Sequence, residues 1–290
     1  MIDKELFLKF YNEKISSDNR EMQSEFIAFQ QHWDEFMECY LNKEVQPNTQ
    51  SSIIQLNYLY AIIWSDLSMC TLSQNKDNID NLVFSSLATT ISNNLIAIIA
   101  LSLNGLDYQA MNILRNLYEI GLLTLNICIN EEKRKHFFQS ARKQNSYEVW
   151  RKYFRTSSML DTIQSYSSSE SLQSYWKKDL KEYYSRLSAF VHNSLANIYI
   201  FSFSEPKDAT EDHYLNVCAH FASRYEQILK EAVDLIWVIT KVFRFLMEDV
   251  KFKDFFDNLL GSENEKYLRH AKNGCYFADY YYLLINKLGE

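Results

Sequence analysis

The chain has few of the residues that end helices and form turns, with only 2 prolines and 5 glycines among 290 residues. A β-sheet protein needs turn residues every few positions, so this scarcity argues against a sheet and favours long helices. No stretch alternates polar and apolar residues for long enough to form a sheet. Also missing are a glycine-rich phosphate loop, GxSxG and HExxH, which argues against nucleotide-cradling folds and two hydrolase classes.

Paired cysteines and long apolar runs are missing as well. The five cysteines are odd in number and never spaced as C-x-x-C, which predicts free, mostly buried thiols in a reducing compartment. The longest uninterrupted apolar run is LIAIIAL at 95–101, whereas a membrane span needs about 20 such residues. The first residues, MIDKELFLKFYNEK, contain no apolar core of a signal peptide. We therefore predict a soluble, cytoplasmic protein without membrane contact.

The charge and the histidines restrict the kind of site further. A net charge of -7 argues against a global electrostatic hold on nucleic acid, although not against a local one. His213 and His220 lie on one helix face but roughly 10 Å apart along the axis, too far to share one metal ion. We predict no metal and no cofactor. Because 47% of the residues are apolar, the chain can bury a sizeable core.

Apolar residues at three-and-four spacing predict an all-α protein. The helix predicted over 130–154 is interrupted near Asn145, and the polar stretch 157–174 is predicted as a loop with one helical turn around 160–163. Asn104-Gly105 forms a tight stop, so the flanking helices should be an antiparallel pair. The predicted helices cover 3–16, 20–45, 50–73, 79–103, 107–129, 130–154, 171–201, 210–248 and 264–287.

The stretch YYSRLSAFVHNS, 183–194, places Arg186 and His192 on one predicted helix. Six positions advance 600°, which leaves the two side chains about 120° apart, and a long arginine can bend toward a shared groove. Ser188 lies on the histidine face and Asn193 on the arginine face. The pair is a candidate catalytic site, with a structural role as the alternative.

A second constellation lies in NILRNLYEIG, 112–121, where Arg115 and Glu119 are four residues apart and therefore neighbours on one helix face. The surrounding isoleucines and leucines predict partial burial. Such a pair is costly to break once it is buried, and it can be retained for structure alone. One interpretation joins Arg115 and Glu119 to Arg186 and His192 in a single satisfied polar cluster between two helices.

A third feature is the basic stretch 134–155, RKHFFQSARKQNSYEVWRKYFR, which contains only one acidic residue, Glu148. Positive charge interleaved with aromatic rings is suited to single-stranded RNA. The alternative is an amphipathic helix whose rings face the core and whose charges face water. The candidate RNA-binding residues are Arg134, Lys135, Arg142, Lys143, Trp150, Arg151, Lys152 and Arg155.

The Arg-x-x-x-Glu pattern at Arg115, together with Ser188-x-x-x-His192, resembles a bacterial family of helical domains related to HEPN domains, over about 50–204. The Arg186–His192 spacing also fits the Arg-x(4–6)-His motif of that group. The resemblance implies a metal-independent endoribonuclease, often dimeric. In it His192 would accept a proton from a ribose 2′-hydroxyl, and Arg186 would stabilise the phosphate charge. Many active members have a polar residue directly after the arginine, where this chain has Leu187.

These observations predict a HEPN-like helical bundle at 49–204, an N-terminal helical pair at 1–48 and long C-terminal helices at 205–290. The C-terminal helices should pack on the bundle or form a dimer surface. The predicted function is RNA-directed, in a toxin or phage-defence system. Expected partners are RNA, a second copy in a homodimer and an antitoxin or regulatory protein. The alternatives are a non-catalytic interaction or sensor module and a tyrosine-lined small-molecule pocket. The apolar residues suggesting a dimer surface are Leu235, Ile236, Val238, Ile239, Phe243, Leu246 and Met247.

Overall fold

The structure is a computed structural model that describes residues 49–74, 78–143, 146–166, 180–188, 225–261 and 265–288. Within these ranges the chain is almost entirely helical and contains no strand, which confirms the all-α prediction. The helical pair predicted over 1–48 lies outside the described residues. The helices are α1 (Thr49–Gln74), α2 (Ile79–Leu103), α3 (Asp107–Ile129), α4 (Glu131–Lys143), α5 (Ser146–Tyr153), α6 (Thr156–Tyr166), α7 (Tyr225–Glu248), α8 (Lys253–Leu260) and α9 (Glu265–Leu288). Residues 180–188 are also helical.

The boundaries of α2 and α3 agree with the prediction, and their chemistry explains why. Asn78 caps α2 by accepting a hydrogen bond from the backbone N–H of Asp80. After Leu103 the chain turns at Gly105, whose φ of 70° is a left-handed conformation that glycine adopts without strain. Residues 144 and 145, where an interruption was predicted, lie outside the described residues, between α4 and α5.

Two helices differ from the sequence prediction. Residues 156–166 were expected to be a loop with one helical turn but form the complete helix α6, because Met159 and Ile163 are four residues apart and both are buried. The apolar pair therefore outweighs the serine-rich composition around it. Helix α8 was not predicted; it follows a short 3₁₀ turn and buries Phe256, Leu259 and Leu260.

The centre of the molecule is a bundle in which α7 packs against α1, α2 and α3. Trp64 of α1 is fully buried and donates a hydrogen bond from Nε1 to Thr240 Oγ1 at 3.0 Å. Its ring lies 5.2 Å from that of Phe243. Helices α3 and α7 approach closely at Gly121, where a Cβ atom would overlap Cδ1 of Ile239. Glycine therefore sets the distance between these two helices.

A smaller layer, α4 to α6, packs on the outside of α3 and is tied to it by one buried amine. The ammonium of Lys133 donates hydrogen bonds to Asn126 Oδ1 at 3.0 Å, to the carbonyl of Ser158 at 3.0 Å and to Thr162 Oγ1 at 2.7 Å. Burial lowers the pKa of Lys133, an effect that the nearby carboxylate of Asp161 opposes. The amine joins three helices at one point.

The apolar residues that suggested a dimer surface on α7 are mostly interior residues. All but Met247 are buried within the same chain, against α1, α2, α3 and α9. Met247 is partly buried and packs on the same core. These residues therefore give no argument for a dimer, because several helices of the same chain cover their apolar side chains. The homodimer remains a prediction.

Helix α2 is, within the described ranges, the one helix long and apolar enough to cross a membrane by length and composition. Half of its apolar window is buried inside the protein, including Phe84, Ile91, Leu95 and Ile98, as is usual for the core helix of a soluble protein. Cys70, Cys128 and Cys275 are free and buried, as the sequence predicted for its thiols. The cytoplasmic location stays a prediction.

Candidate functional site

The helical segment 180–188, which carries Arg186, lies between α3 and α7. Leu180 and Leu187 are buried, seven residues apart on one face. On the α3 side, the hydroxyl of Tyr118 donates a hydrogen bond to the carbonyl of Leu180 at 2.9 Å. Because Leu187 is part of the core, the position after the arginine cannot hold a polar residue without a cost in burial.

Arg115 and Glu119 face the segment from α3. The Nε of Arg115 donates to Glu119 Oε1 at 3.0 Å, so the interaction expected from their spacing is present. The guanidinium also lies over the ring of Tyr184, 5.2 Å from its centroid. Only 14% of the arginine side chain is exposed, and its Nη1 has no hydrogen-bond partner among the described residues.

Arg186 faces the other way, toward α7. Its Nη2 is 3.2 Å from Oε1 of Glu231, and its guanidinium lies 4.6 Å from the ring centroid of Tyr183. The hydroxyl of Tyr183 donates to the backbone carbonyl of the same Glu231 at 3.3 Å. Since adjacent helix residues point about 100° apart, Tyr183 and Tyr184 contact different helices. Half of the Arg186 side chain, 49%, remains exposed.

Glu231 is the most constrained carboxylate of this region. Its side chain is 10% exposed; Oε1 accepts from Arg186 and from Gln227 Nε2, while Oε2 has no partner among the described residues. Burial raises the pKa of Glu231, whereas Arg186 and Gln227 lower it and Asp234 adds to the rise. Arg186 thus stabilises a charge that the surroundings disfavour.

The two arginines therefore lie in separate contacts on the two sides of one helical segment. Arg115 is joined to Glu119 and Tyr184, and Arg186 to Glu231 and Tyr183, so the described contacts do not join them in the single cluster that one interpretation expected. Ser188 lies one turn after Tyr184 with a buried Oγ that has no partner in the described part of the chain. His192 and Asn193 lie outside the described residues.

The basic stretch 134–155 divides into interior and exposed residues. Arg134 is half-buried and donates from Nη1 to the carbonyl oxygens of Ile127 and Cys128, with its guanidinium 3.9 Å from the ring centroid of Phe255. Trp150 is partly buried and packs near Phe154. Arg142 and Lys143 close α4, and their side chains lie outside the described part. The exposed candidates are Lys135, Arg151, Lys152 and Arg155.

Lys135 is paired with Glu131 one turn before it. Tyr147, a residue not singled out as an RNA contact from the sequence, is 74% exposed on α5. Glu231 was also missed, because nothing in its own stretch of sequence marks it as a partner of Arg186. In the described ranges no three His, Cys, Asp or Glu side chains lie close enough to hold a metal ion.

Comparison with known proteins adds one match. Neither the curated proteins nor the solved structures contain one that matches the chain, and nothing in these comparisons points to HEPN domains. Residues 81–209 match the model of a family of unknown function, DUF5677. The matched region overlaps the range in which the resemblance was noted, includes Arg115 and Arg186, and ends before Glu231.

Proposed function

We propose that the protein is an RNA-directed protein with a HEPN-like arrangement, which holds single-stranded RNA on α5 and has its reaction centre at Arg186 and His192. The observation that carries the proposal is the exposed surface at 147–155, which combines an exposed aromatic ring with three exposed cations that have no carboxylate partner among the described residues. The proposal includes the homodimer, the regulatory partner protein and the place in a toxin or phage-defence system.

The α5 face is defined as the exposed residues of 147–155: Tyr147, Arg151 and Lys152 on α5, and Arg155, which follows the helix. The ring of Tyr147 is 74% exposed, and Arg151 lies about one turn after it. Within the described part of the chain none of the three is in an ion pair. A base can stack on an exposed ring while nearby cations contact the phosphates on either side. The net charge of -7 argues against a global hold on nucleic acid, and a basic surface of this kind allows a local one.

Arg186 supplies the second half of the proposal. Its guanidinium is half exposed and fixed in direction by Glu231 and Tyr183, so it can meet a phosphate from the solvent side. His192, six residues later in sequence, would accept the proton of a ribose 2′-hydroxyl, because the unperturbed pKa of a histidine lies near working pH. The 2′-oxygen then bonds to the adjacent phosphorus, which gives a 2′,3′-cyclic phosphate as the bond to the 5′-oxygen of the next nucleotide breaks. That oxygen takes a proton from water, and His192 returns its proton to the solvent.

A second candidate function, a non-catalytic interaction or sensor module, is favoured by a different observation. Each arginine already has a carboxylate and an aromatic ring from its own chain: Glu119 and Tyr184 for Arg115, Glu231 and Tyr183 for Arg186. In that case the two pairs hold the segment 180–188 between α3 and α7. The His192→Ala substitution would then lower the melting temperature and leave RNA unaffected.

Binding is tested by fluorescence anisotropy with a labelled single-stranded oligoribonucleotide. The variant Arg151→Gln/Lys152→Gln/Arg155→Gln removes the three cations of the α5 face. The matched control Lys230→Gln/Lys251→Gln/Lys253→Gln removes three exposed cations elsewhere. We expect the α5 variant to bind at least tenfold more weakly and its salt slope to fall by roughly 2, as loss of three phosphate contacts on a single strand requires. Equal losses in both variants would show that only net charge matters.

Cleavage is tested separately with structured and single-stranded RNA, comparing the wild type with His192→Ala and Arg186→Gln. We expect wild-type cleavage without added metal and none by either variant. Equal cleavage by all three, or none by the wild type in the presence of bound RNA, would remove the reaction centre from the proposal. Binding on α5 would stand in either case, because it is measured independently.

A further inference from the structure

A cleft of about 320 Å³ opens between the start of α2, the outer face of α4 and α8. Its volume lies at the small end of the range of roughly 300–1,000 Å³ typical of small-molecule pockets, which suits one nucleoside rather than a larger ligand. The predicted RNA-binding residues Arg134 and Lys135 line it. The cleft itself was not anticipated from the sequence, because its walls come from three separate parts of the chain.

The polar residues of the cleft are four amides and four charged residues. Asn81, Gln139 and Asn258 line it together with the rings of Phe138 and Phe255. An amide carries both hydrogen-bond donors and an acceptor, which is the combination that the edge of a nucleobase requires. Gln139 and Asn258 are exposed to solvent, while Asn81 is buried and bound to the carbonyl of Thr71.

The charges of the cleft are engaged within the protein. Lys135 is paired with Glu131, and Arg134 donates to the end of α3 while its guanidinium covers Phe255. A free anion therefore has no unpaired cation here to attract it, and the cleft favours an uncharged, flat, polar ligand. Bases also stack on arginine planes and aromatic rings. These are the properties of a nucleobase whose phosphate lies elsewhere.

The position of the cleft relative to α5 fits a continuous strand. On α4, His136 stacks on Tyr153 of α5 at a centroid distance of 4.2 Å, whereas the neighbouring Lys135 and Gln139 line the cleft. Adjacent helix residues point about 100° apart, so α5 and the cleft lie on neighbouring sides of α4, roughly one helix diameter of 10 Å apart. One strand can reach both.

We propose that this cleft receives one unstacked base of the RNA strand that lies on α5, with Gln139 and Asn258 reading the edge of the base. The inference rests on the proposed function for its ligand. A free nucleoside is the minimal probe, since it has the base and no phosphate. Pyrimidine and purine nucleosides both present donors and acceptors, and the two exposed amides decide between them.

The experiment compares full-length wild type with Gln139→Ala/Asn258→Ala, using titration calorimetry with adenosine, guanosine, cytidine and uridine. The matched control Asn93→Ala/Gln109→Ala removes two exposed amides far from the cleft lining. We expect at least one nucleoside to bind the wild type and the control equally and the cleft variant about tenfold more weakly, as loss of roughly 1.4 kcal/mol requires. Equal affinity of all three proteins overturns the inference.

A second measurement does not depend on a variant. A single-stranded oligonucleotide with one 4-thiouridine is cross-linked to the wild type by light, and the modified peptide is identified by mass spectrometry. A peptide containing Phe138 or Phe255 supports the inference, and cross-links confined to other peptides contradict it. Nucleoside binding in the cleft without any RNA binding would end the proposed function and leave the cleft assignment standing. RNA binding by the cleft variant with wild-type affinity would do the reverse.

Discussion

Helix α7 contacts the rest of the molecule in two different ways. In its second half the contacts are apolar and complete: Ile239 meets Gly121 without room for another atom, and Phe243 packs on Trp64 with both side chains fully buried. Near its beginning, Glu231 forms an ion pair with Arg186. Half of the arginine side chain is exposed, and Oε2 of Glu231 has no partner among the described residues.

The difference separates stability from function within one helix. The apolar contacts of Ile239 and Phe243 remove surface from water, which is the main favourable term in folding. A buried carboxylate paired with an arginine repays its desolvation only in part, so such a pair is weak evidence for stability. The raised pKa of Glu231 shows that burial outweighs the attraction of Arg186. The beginning of α7 is therefore the end at which a functional role should be sought.

The largest expected effect comes from adding a methyl group at the apolar end of α7, where Gly121 meets Ile239. In Gly121→Ala the new methyl group overlaps Cδ1 of Ile239, so α3 and α7 must separate or the isoleucine must change rotamer. We expect the free energy of unfolding to fall by about 2 to 3 kcal/mol, with a loss of roughly 5 °C in melting temperature. Chemical unfolding followed by circular dichroism measures it.

The isoleucine provides the control. Ile239→Val removes the Cδ1 atom that the new methyl group would meet and should by itself cost about 1 kcal/mol. The double variant should lose less unfolding free energy than the two single variants together, by at least about 0.5 kcal/mol. Strictly additive losses would show that Gly121 does not set the distance between α3 and α7, and would remove the contrast between the two ends of α7.

Much of this fold could be predicted from the sequence because its signals are local. The start of α2 at residue 79 and the turn at Gly105 both depend on contacts within one or two helical turns, and each was placed correctly. Helix α6 was missed because its composition resembles a loop, while its helix depends on Met159 and Ile163 reaching the core. Burial against other helices is a tertiary effect that composition does not carry.

The candidate site shows the same division. Arg115 and Glu119 could be paired from their spacing, because residues four apart on a helix are neighbours. Arg186 could not be paired with Glu231, since the two lie on different helices and no local rule connects them. The exposed and interior members of the basic stretch could not be separated either. That separation depends on Arg134 reaching Phe255 on a distant helix.

The buried hydrogen bonds of Lys133 test whether polarity alone distinguishes the contacts at the two ends of α7. Lys133→Met removes the ammonium that joins α3, α4 and α6 and leaves the oxygens of Asn126 and Thr162 without their donor. We expect a loss of about 1 to 2 kcal/mol in unfolding free energy, measured by urea titration. Lys135→Met, on the exposed part of the same helix, is the control and should change stability by less than about 0.5 kcal/mol. A stabilised Lys133→Met would show that burying the amine costs more than its bonds return.

The smallest expected effect is at the polar end and is a change of pH dependence. Burial raises the pKa of Glu231 above its usual value of 4.5. At a pH between the unfolded and the folded pKa, the folded protein therefore binds more protons than the unfolded chain. Stability contributed by this group is therefore greatest in acid and falls as the pH rises through the folded pKa. Glu231→Gln cannot titrate, and its amide oxygen can still accept from Arg186.

The quantity to follow is the unfolding free energy of the wild type minus that of Glu231→Gln, between pH 4 and pH 8. It should decrease as the pH rises. Asp234, whose pKa burial also raises, is present in both proteins, so its contribution largely cancels; Asp234→Asn made in each background checks this. A difference that increased with pH would mean that Arg186 stabilises the carboxylate by more than burial costs. The polar end of α7 would then serve stability as the apolar end does.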